Sequence, residues 1–269
     1  MEQKFGGAWT VIKLDVLESY LSFYTTAMKK QKFNCCYIDA FAGSGLVDVR
    51  GEGVISGSAL RALDQPFQQY IFIEKDSAYA DCLKRRIVED FPHKNCWVII
   101  GDCNEELQCL ARFQWRKNSW RGVAFLDPYG LELDWNSLRA LASTRTFDIW
   151  YLFPIMPLNR LLPRDGNIRD SHRLLIDRLL GTDDWEQRIY APAPQLDFFD
   201  DRKVKVSTDL LRQYLIERLS SIFCAVSPNA RILFHPDNNT PLYLLCFAMN
   251  NPNGAVLALK GANHILANP

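Results

Sequence analysis

Short apolar runs and amphipathic stretches alternate regularly along the first 153 residues of the chain. The apolar runs are rich in Ile, Val, Phe, Tyr and Trp, as buried strands are. They are CCYIDAF, QYIFIEKD, CWVIIGD, GVAFLDP and FDIWYLF. Stretches with helical spacing lie before and between them: WTVIKLDVLESYLSFYTTAM, GSALRALDQ, SAYADCLKRRIVEDF, NEELQCLARF and DWNSLRALAST. The pattern predicts an α/β protein with a mostly parallel sheet covered by helices on both faces.

The pattern changes after Phe153. Residues 154–206 carry many prolines and arginines and one amphipathic helix around Ser171 to Leu180. A helix in STDLLRQYLIERLSSIF and two strands in ARILFHP and PLYLLCFAMNNPNG follow, and the two strands are expected to be antiparallel. We therefore predict one domain built from residues 1–153, which hold the ligand site, and 207–269. Residues 154–206 are predicted to be an insertion or cap that selects the substrate.

Composition and charge limit the class of protein without naming it. The chain has 269 residues, 48% of them apolar, and its 31 basic residues balance its 31 acidic residues. The total charge therefore gives no signal for nucleic acid or membrane. The eight cysteines form no CxxC pair and mostly lie in apolar runs, which favours a reduced, cytoplasmic setting. No signal peptide and no apolar run of about 20 residues is present, so no membrane association is expected.

The segment from Tyr37 to Asp48, YIDAFAGSGLVD, is a predicted strand followed by Gly43 and Gly45. Glycine accepts dihedral angles that let the backbone approach a ligand closely. The third glycine of the dinucleotide fingerprint is absent, and no Lys-Ser or Lys-Thr follows to make a phosphate loop. A dehydrogenase and an NTPase are therefore disfavoured. The alternative is a strand-to-helix turn in which the two glycines serve geometry alone.

Four of the predicted strands end on or beside a carboxylate, namely Asp39, Glu74, Asp102 and Asp127. The carboxyl ends of parallel strands form the ligand-binding edge of such sheets, so we expect these side chains to lie together. Glu74 can accept two hydrogen bonds from a ribose diol, or be a solvated strand end. Asp102 can accept an adenine amine, or cap the following helix. Asp127 begins Asp-Pro-Tyr-Gly, which is also good turn chemistry.

The segments YIDAFAGSG, GSALRAL, FIEKD, GD, FLDPYG and PLYLLCFAMNNPNG together resemble the three-Cys-motif partner proteins. That family is similar to class I S-adenosylmethionine-dependent methyltransferases. The resemblance covers nearly the whole chain and is weakest across Pro154 to Val206. It implies a Rossmann-like, seven-stranded, mostly parallel sheet with a reversed terminal hairpin, S-adenosylmethionine as cofactor, and no metal. The family name refers to the cysteines of a partner, which implies a companion protein.

The resemblance also assigns roles to individual residues. Asp39 and the glycine loop would hold the methionine portion, Glu74 the ribose, and Asp102 with Cys103 the adenine. The full set of implied cofactor contacts is Asp39, Phe41, Gly43, Gly45, Glu74, Lys75, Asp102, Cys103 and Asp127. Catalysis would fall to Asp127, Pro128 and Tyr129: the carboxylate and the proline carbonyl accept the two hydrogens of an exocyclic amine, and the aromatic ring stacks on the acceptor.

That segment resembles the Asp-Pro-Pro-Tyr signature of amino-group methyltransferases, but the second proline is missing and the aromatic residue comes one position early. A nucleic acid acceptor is suggested by three basic segments: LKRRIVED, RFQWRKNSWRG, and the arginines at 160, 164, 169, 173 and 178. In the second, Trp115 and Trp120 lie among the basic residues, as stacking on bases requires. The alternative is solvated surface, with Asp170, Asp177, Asp183 and Asp184 pairing with the nearby arginines.

Two functions follow from the sequence. The first is an S-adenosylmethionine-dependent methyltransferase acting on an amine of a nucleic acid base. The second is a cofactor-binding partner subunit that acts through protein interaction with little catalysis of its own. The four histidines show no metal-ligand spacing, and His235 is either a base or a polar strand end.

Overall fold

The computed structural model describes residues 7–164, 166–192, 203–205 and 207–268 of the chain. Strands and helices alternate along most of this length. In chain order the elements are α1 (Ala8–Met28), β1 (Asn34–Asp39), β2 (Leu46–Val49), β3 (Gly53–Ser56), α2 (Ser58–Leu63), β4 (Gln69–Glu74), α3 (Ser77–Asp90), β5 (Cys96–Ile100), α4 (Cys103–Ala111), β6 (Trp120–Leu126), α5 (Trp135–Thr144), β7 (Phe147–Phe153), α6 (Ile155–Leu161), α7 (Asp170–Leu180), α8 (Trp185–Ile189), β8 (Tyr190–Pro192), β9 (Lys203–Lys205), α9 (Thr208–Ser220), β10 (Ala225–Val226), β11 (Arg231–Phe234), β12 (Pro241–Met249) and α10 (Ala255–Ala267).

One large sheet has the strand order β5-β4-β1-β6-β7-β12, with β10 and β11 both paired to β12. The five strands from β5 to β7 are parallel, and β12 runs antiparallel to β7. The short strands β10 and β11 pair with successive parts of β12, so together they occupy one edge position. The sheet thus has seven positions and ends in an antiparallel pair, in which β12 is the strand that runs against the parallel ones. The predicted Rossmann-like α/β fold is confirmed.

Strand β1 is an interior strand of the sheet, because β4 pairs with one of its edges and β6 with the other. Its side chains alternate between the two faces of the sheet. Cys36 and Ile38 belong to the hydrophobic core on one face, and Cys35 and Tyr37 to the core on the other. A strand buried on both faces is the reason for the unbroken apolar run in the sequence.

The two cores are covered by different helices. Side chains of α1, α2, α3 and α10 pack on one face, and side chains of α4 to α9 on the other. Helix α10 packs against α1, and Gly261 makes the approach possible: a Cβ at that position would lie 2.6 Å from Cε1 of Phe23. Helix α10 was not predicted from the sequence, although the two strands before this helix were.

The segment after β7 packs as part of the domain. Ile155 of α6, Ile176 of α7 and Trp185 of α8 are all buried in the core that covers one face of the sheet. The predicted helix around Ser171 to Leu180 is confirmed as α7. Residues 165, 193–202 and 206 of the predicted insertion lie outside the described residues. Its role in substrate selection stays a prediction.

A hairpin, β2 and β3, separates the glycine loop from α2, so the alternative reading of this stretch as a direct strand-to-helix turn is wrong. Each of its strands has only four residues, and most of their side chains are exposed or half-buried. Such a segment leaves no apolar run or alternation for sequence analysis to detect. Helix α6 was missed for another reason, since Pro157 lies within it; the proline is tolerated because it occupies the first turn.

Three further observations bear on the class of protein. All eight cysteines are free thiols, and five of them are buried. Within the described ranges, no helix combines the length and the apolar character that crossing a bilayer requires. In the same part of the chain, no group of His, Cys, Asp and Glu side chains is arranged to hold a metal ion.

A buried carboxyl group joins α1 to the sheet at the end opposite the strand-end carboxylates. The Tyr20 hydroxyl donates to Oδ2 of Asp148 on β7 at 2.7 Å. Burial raises the pKa of Asp148 to about 7, and the hydrogen bond from Tyr20 and the charge of Arg121 only partly oppose that rise. The protein therefore favours the protonated form of this group.

Replacing Asp148 by Asn should change how stability depends on pH. The folded pKa lies above the ordinary value, so the folded state binds more protons, and this group's contribution to stability is lost as pH rises from about 4 to about 7. The free energy of unfolding of the native chain should therefore fall relative to Asp148→Asn by ~1.4 kcal/mol per pH unit over that interval. Urea unfolding at several pH values measures the difference, and parallel curves for the two proteins would contradict the assignment.

Candidate active site

Two adjoining pockets open at the carboxyl edge of the parallel strands, and Phe41 and Tyr129 line both. The Glu74 pocket has a volume of about 490 Å³. Its walls include Ala40, Phe41, Glu74, Lys75, Asp76, Tyr79, Asp102, Cys103, Tyr129 and Glu132. The Asp127 pocket has a volume of about 810 Å³. Its walls include Trp9, Lys13, Leu14, Phe41, Gly45, Gly57, Ser58, Asp127, Pro128, Tyr129, Met156, Arg160, His235 and Tyr243.

The structure brings most of the predicted site residues to these pockets; the exceptions are Gly43 and Asp39. That side chain is fully buried beneath the glycine loop. Its carboxylate accepts hydrogen bonds from the Phe41 amide at 3.2 Å, from the Tyr37 hydroxyl at 3.3 Å and from the Ser58 side chain. Burial raises the pKa of Asp39 to about 7 against the effect of these hydrogen bonds. Asp39 therefore holds the loop from below.

The glycine loop depends on glycine at two positions. Gly43 and Gly45 have φ angles of 62° and 87°, in the region that side chains disfavour. The Gly43 amide donates to Oε2 of Glu74 at 2.7 Å, which ties the end of β1 to the end of β4. A Cβ at Gly45 would lie 3.1 Å from Cδ1 of Leu83 and 3.2 Å from Cγ of Leu60. Turn geometry and close packing therefore both select glycine here.

Glu74 is fixed by two backbone amides. Oε2 accepts from Gly43, and Oε1 accepts from Asp76 at 2.8 Å. The side chain is half-buried rather than a solvated strand end. Each carboxylate oxygen has a second lone pair, so Glu74 can still accept hydrogen bonds from a ligand in its pocket.

Asp102 caps helix α4, as the alternative reading of the sequence predicted. Its Oδ1 accepts from the Asn104 amide at 2.9 Å, and the Lys75 ammonium lies 3.4 Å from Oδ2. Burial acts to raise the pKa of Asp102, but these contacts outweigh burial and hold the pKa below its ordinary value. Asp102 and the neighbouring Cys103 nevertheless line the Glu74 pocket. Burial raises the pKa of the Cys103 thiol to about 12, so this group is a neutral wall.

Asp127, Pro128 and Tyr129 follow β6 and form one side of the Asp127 pocket. The Lys13 ammonium donates to Oδ2 of Asp127. Among the described residues Oδ1 of Asp127 accepts no hydrogen bond. The Tyr129 ring is half exposed and stands between the two pockets, and burial raises the pKa of its hydroxyl to about 12, helped by the charge of Asp127.

Sequence reasoning missed the part of the site that comes from α1. Trp9 and Lys13 are four residues apart and therefore share a helix face, which was a readable signal. Nothing in the sequence connected that face to Asp127, which is 114 residues away from Lys13. The Trp9 ring lies 5.9 Å from the ring of His235, and His235 lines the same pocket. His235 Nδ1 accepts from the Asp237 amide at 3.3 Å.

The basic and aromatic segment from Arg112 to Arg121 does not form the expected stacking surface. Trp115 is buried in the core, and its indole N–H donates to the Leu110 carbonyl at 2.8 Å. The segment leads into the amino end of β6, whereas the pockets lie at the carboxyl ends. The prediction that Trp115 can stack on a base is wrong, because the ring is needed to fill the core beside Phe147.

The arginines after β7 pair with acids other than those expected. Arg173 pairs with Glu186, and Arg178 lies 2.7 Å from Oδ1 of Asp134. Asp177 instead accepts from the Trp185 indole at 2.6 Å. Arg160, which is exposed on α6, differs from these arginines because it lines the Asp127 pocket.

Comparison with solved structures finds similar structures at low sequence identity. Protein LPL1258 from Legionella pneumophila superposes with a TM-score of 0.57 at 14% identity, over 97% of this chain and 92% of that one. Trm1 from Pyrococcus horikoshii, solved with S-adenosyl-L-methionine, gives 0.46 at 9% identity, over 94% and 57% of the two chains. The N-terminal domain of EvdMO1, solved with SAH and D-fucose, gives 0.43 at 11%, over 88% and 83%. No protein-family model and no curated protein sequence matches the chain. The similarity to LPL1258 shows the fold and nothing about function.

Two glycine substitutions should separate backbone strain from packing in the loop. Gly45→Ala meets both a positive φ and the side chains of Leu60 and Leu83, whereas Gly51→Ala meets a positive φ of 92° and open space. The positive φ should lower the free energy of unfolding of each variant by about 1–3 kcal/mol, and overpacking should lower that of Gly45→Ala by about 1–3 kcal/mol more. Urea unfolding of both variants measures the difference. Equal losses would show that Gly45 is required for its dihedral angles alone.

Proposed function

We propose that the protein is an S-adenosylmethionine-dependent methyltransferase that acts on an amine of a nucleic acid base. The observation that carries the proposal is the junction of the two pockets at Phe41 and Tyr129. One pocket has the polar groups that an adenosine needs. The other has a carboxylate and a carbonyl at the end of β6, where an acceptor amine can be held. An extended cofactor that passes from one to the other carries its methyl group to the acceptor.

The Glu74 pocket fits the adenosine portion. Glu74 has lone pairs left for the ribose hydroxyls, and a carboxylate that accepts from a diol is what a nucleoside requires at this strand end. Asp102 and Cys103 stand on the adenine side, with Phe41 as an apolar wall. Gly43 and Gly45 shape the path toward the Asp127 pocket, where the methionine portion lies. Asp39 contributes by holding that loop.

Asp127 and Pro128 are suited to hold an amine. Lys13 engages Oδ2 of Asp127, which leaves Oδ1 and the Pro128 carbonyl as acceptors for the two hydrogens of a primary amine. Those hydrogen bonds direct the nitrogen lone pair away from both acceptors. The cofactor supplies a methyl group already activated on a sulfonium, so alignment and exclusion of water are the main tasks of the protein. The carboxylate can also take the proton that the nitrogen loses.

The remaining walls of the Asp127 pocket suit a flat ring. Trp9, Tyr129 and Tyr243 provide aromatic surfaces, and Arg160 lies at the rim where a phosphate of the strand would pass. Aromatic stacking combined with a cation is the usual means of holding a single unpaired base. These features favour a base within a nucleic acid over a free amine.

A second candidate is a cofactor-binding partner subunit in the cytoplasm. The resemblance to the three-Cys-motif partner proteins implies a companion protein, and the acceptor motif lacks its second proline. The edge strand β5 also carries exposed Trp97 and Ile100 side chains, which a partner could cover. Binding of the cofactor without transfer to any acceptor would favour this candidate.

Incubation with labelled S-adenosylmethionine decides between the two. Separate pools of DNA, RNA, protein and small molecules are exposed to the protein, and labelled products are identified by mass spectrometry. We expect label in a nucleic acid pool, on an exocyclic amine. Label in protein or small molecules would refute the proposed acceptor, and no label from a protein that binds the cofactor would support the partner subunit.

Glu74→Gln should weaken binding of S-adenosylhomocysteine by about 10-fold or more, because the amide accepts fewer and weaker hydrogen bonds from the ribose. Isothermal titration calorimetry measures the dissociation constant. Glu52→Gln is the matched control, since Glu52 is exposed in the turn between β2 and β3. Equal affinity in the Glu74 variant and the control would remove Glu74 from the cofactor site.

Asp127→Asn should keep cofactor binding and lose methyl transfer by about 100-fold or more, because the neutral amide can neither orient the amine in the same way nor take its proton. Calorimetry with S-adenosylhomocysteine and the labelling assay are run on the same preparation. Transfer at the native rate would show that the acceptor lies elsewhere.

A further inference from the structure

Lys13 is a partly buried cation on the methionine side of the site. Its side chain is 15% exposed and lines the Asp127 pocket from α1. The same pocket is lined by Gly45 of the glycine loop and by Gly57 and Ser58 at the start of α2. The adenosine end of the cofactor belongs to the other pocket. The amino acid end therefore shares the Asp127 pocket with Lys13.

We propose that Lys13 binds the carboxylate of the cofactor's methionine portion, an inference that rests on the proposed function. Two observations beyond its place in the pocket support this assignment. The ammonium retains hydrogen-bonding capacity, and its positive charge offsets the negative charge of Asp127.

The ammonium of Lys13 has three N–H donors. Within the described residues its one hydrogen-bond acceptor is Oδ2 of Asp127. It can therefore hold Asp127 and a second carboxylate together without releasing the first. Hydrogen bonds between ionised groups are the strongest that such a pocket can offer a ligand.

Charge balance gives the second argument. Asp127 lies in the wall of the pocket. A methionine carboxylate that entered without a cation would meet the negative charge of Asp127 in a partly desolvated space. Lys13 offsets Asp127 and presents positive charge to the ligand at the same time. The Lys13 ammonium thereby contacts both the cofactor and Asp127, the carboxylate that holds the acceptor.

Arg160 is the other Lys or Arg side chain lining this pocket, and its position differs. It is exposed on α6, and its guanidinium lies 3.7 Å from the Met156 sulfur. An exposed cation is hydrated and screened, so it contributes less to a ligand than a partly buried one. Arg160 is therefore the matched control, because it is a cation of the same pocket without the same burial.

The experiment compares two ligands that differ at the amino acid end. S-adenosylhomocysteine has the carboxylate, whereas 5′-methylthioadenosine has the adenosine and the sulfur but no amino acid. Calorimetry of Lys13→Met should show about 10-fold or greater loss of affinity for S-adenosylhomocysteine and a change within about 2-fold for methylthioadenosine. Lys13→Arg should recover part of the loss. Arg160→Met should leave the affinity ratio of the two ligands unchanged.

Both ligands are measured on the same variant, so the ratio of the two affinities can be interpreted even if that variant is less stable. Equal losses for both ligands in Lys13→Met would give Lys13 a structural role and overturn the inference. No loss for either ligand would also overturn it, and a selective loss in Arg160→Met would move the role to Arg160. A native protein that binds neither ligand would instead refute the proposed function itself.

Discussion

Backbone pairing on both sides of β1 is the interaction on which the rest of the site depends. The pairing does not stop at Asp39: the Ala40 amide donates to the Phe125 carbonyl of β6, and the Ala42 amide donates to the Ile73 carbonyl of β4. The first residues of the glycine loop are therefore held by both neighbouring strands. Because parallel pairing also aligns the carboxyl ends of these strands, Glu74 and Asp127 reach the loop from opposite sides.

The four strand-end carboxylates differ in what they do, although the sequence presents them alike. Asp39 is buried and hydrogen-bonded below the loop, Glu74 ties two loops together, Asp102 caps a helix, and Asp127 receives the Lys13 ammonium. All four therefore have contacts within the protein that would account for them without a ligand. Structural and ligand-binding roles coincide for Glu74 and Asp102, since each remains in a pocket wall while making those contacts. A strand-end acid is therefore weak evidence for binding until its other partners are known.

The parallel strands could be predicted because burial on both faces leaves an unbroken apolar run, and the long helices because their apolar positions recur with helical spacing. The β2–β3 hairpin could not be predicted, since its strands are short and little buried. Trp115 was predicted to stack on a base but is buried in the core. An aromatic residue among basic residues looks the same in the sequence whether it lies on the surface or in the core. The role of Lys13 could not be predicted from the sequence, because it is the sheet topology that brings Asp127 next to it.

Helix α1 comes first in the chain, yet two of its polar partners come late. Lys13 contacts Asp127 across 114 residues, and Tyr20 contacts Asp148 across 128. Contacts between residues so far apart in the sequence form slowly, because a long loop must close, at a cost in chain entropy, before the contact can stabilise the fold. The helix can therefore dock in its final place only after β6 and β7 have joined the sheet. Completion of the acceptor side of the site therefore reports that the sheet has formed as far as β6.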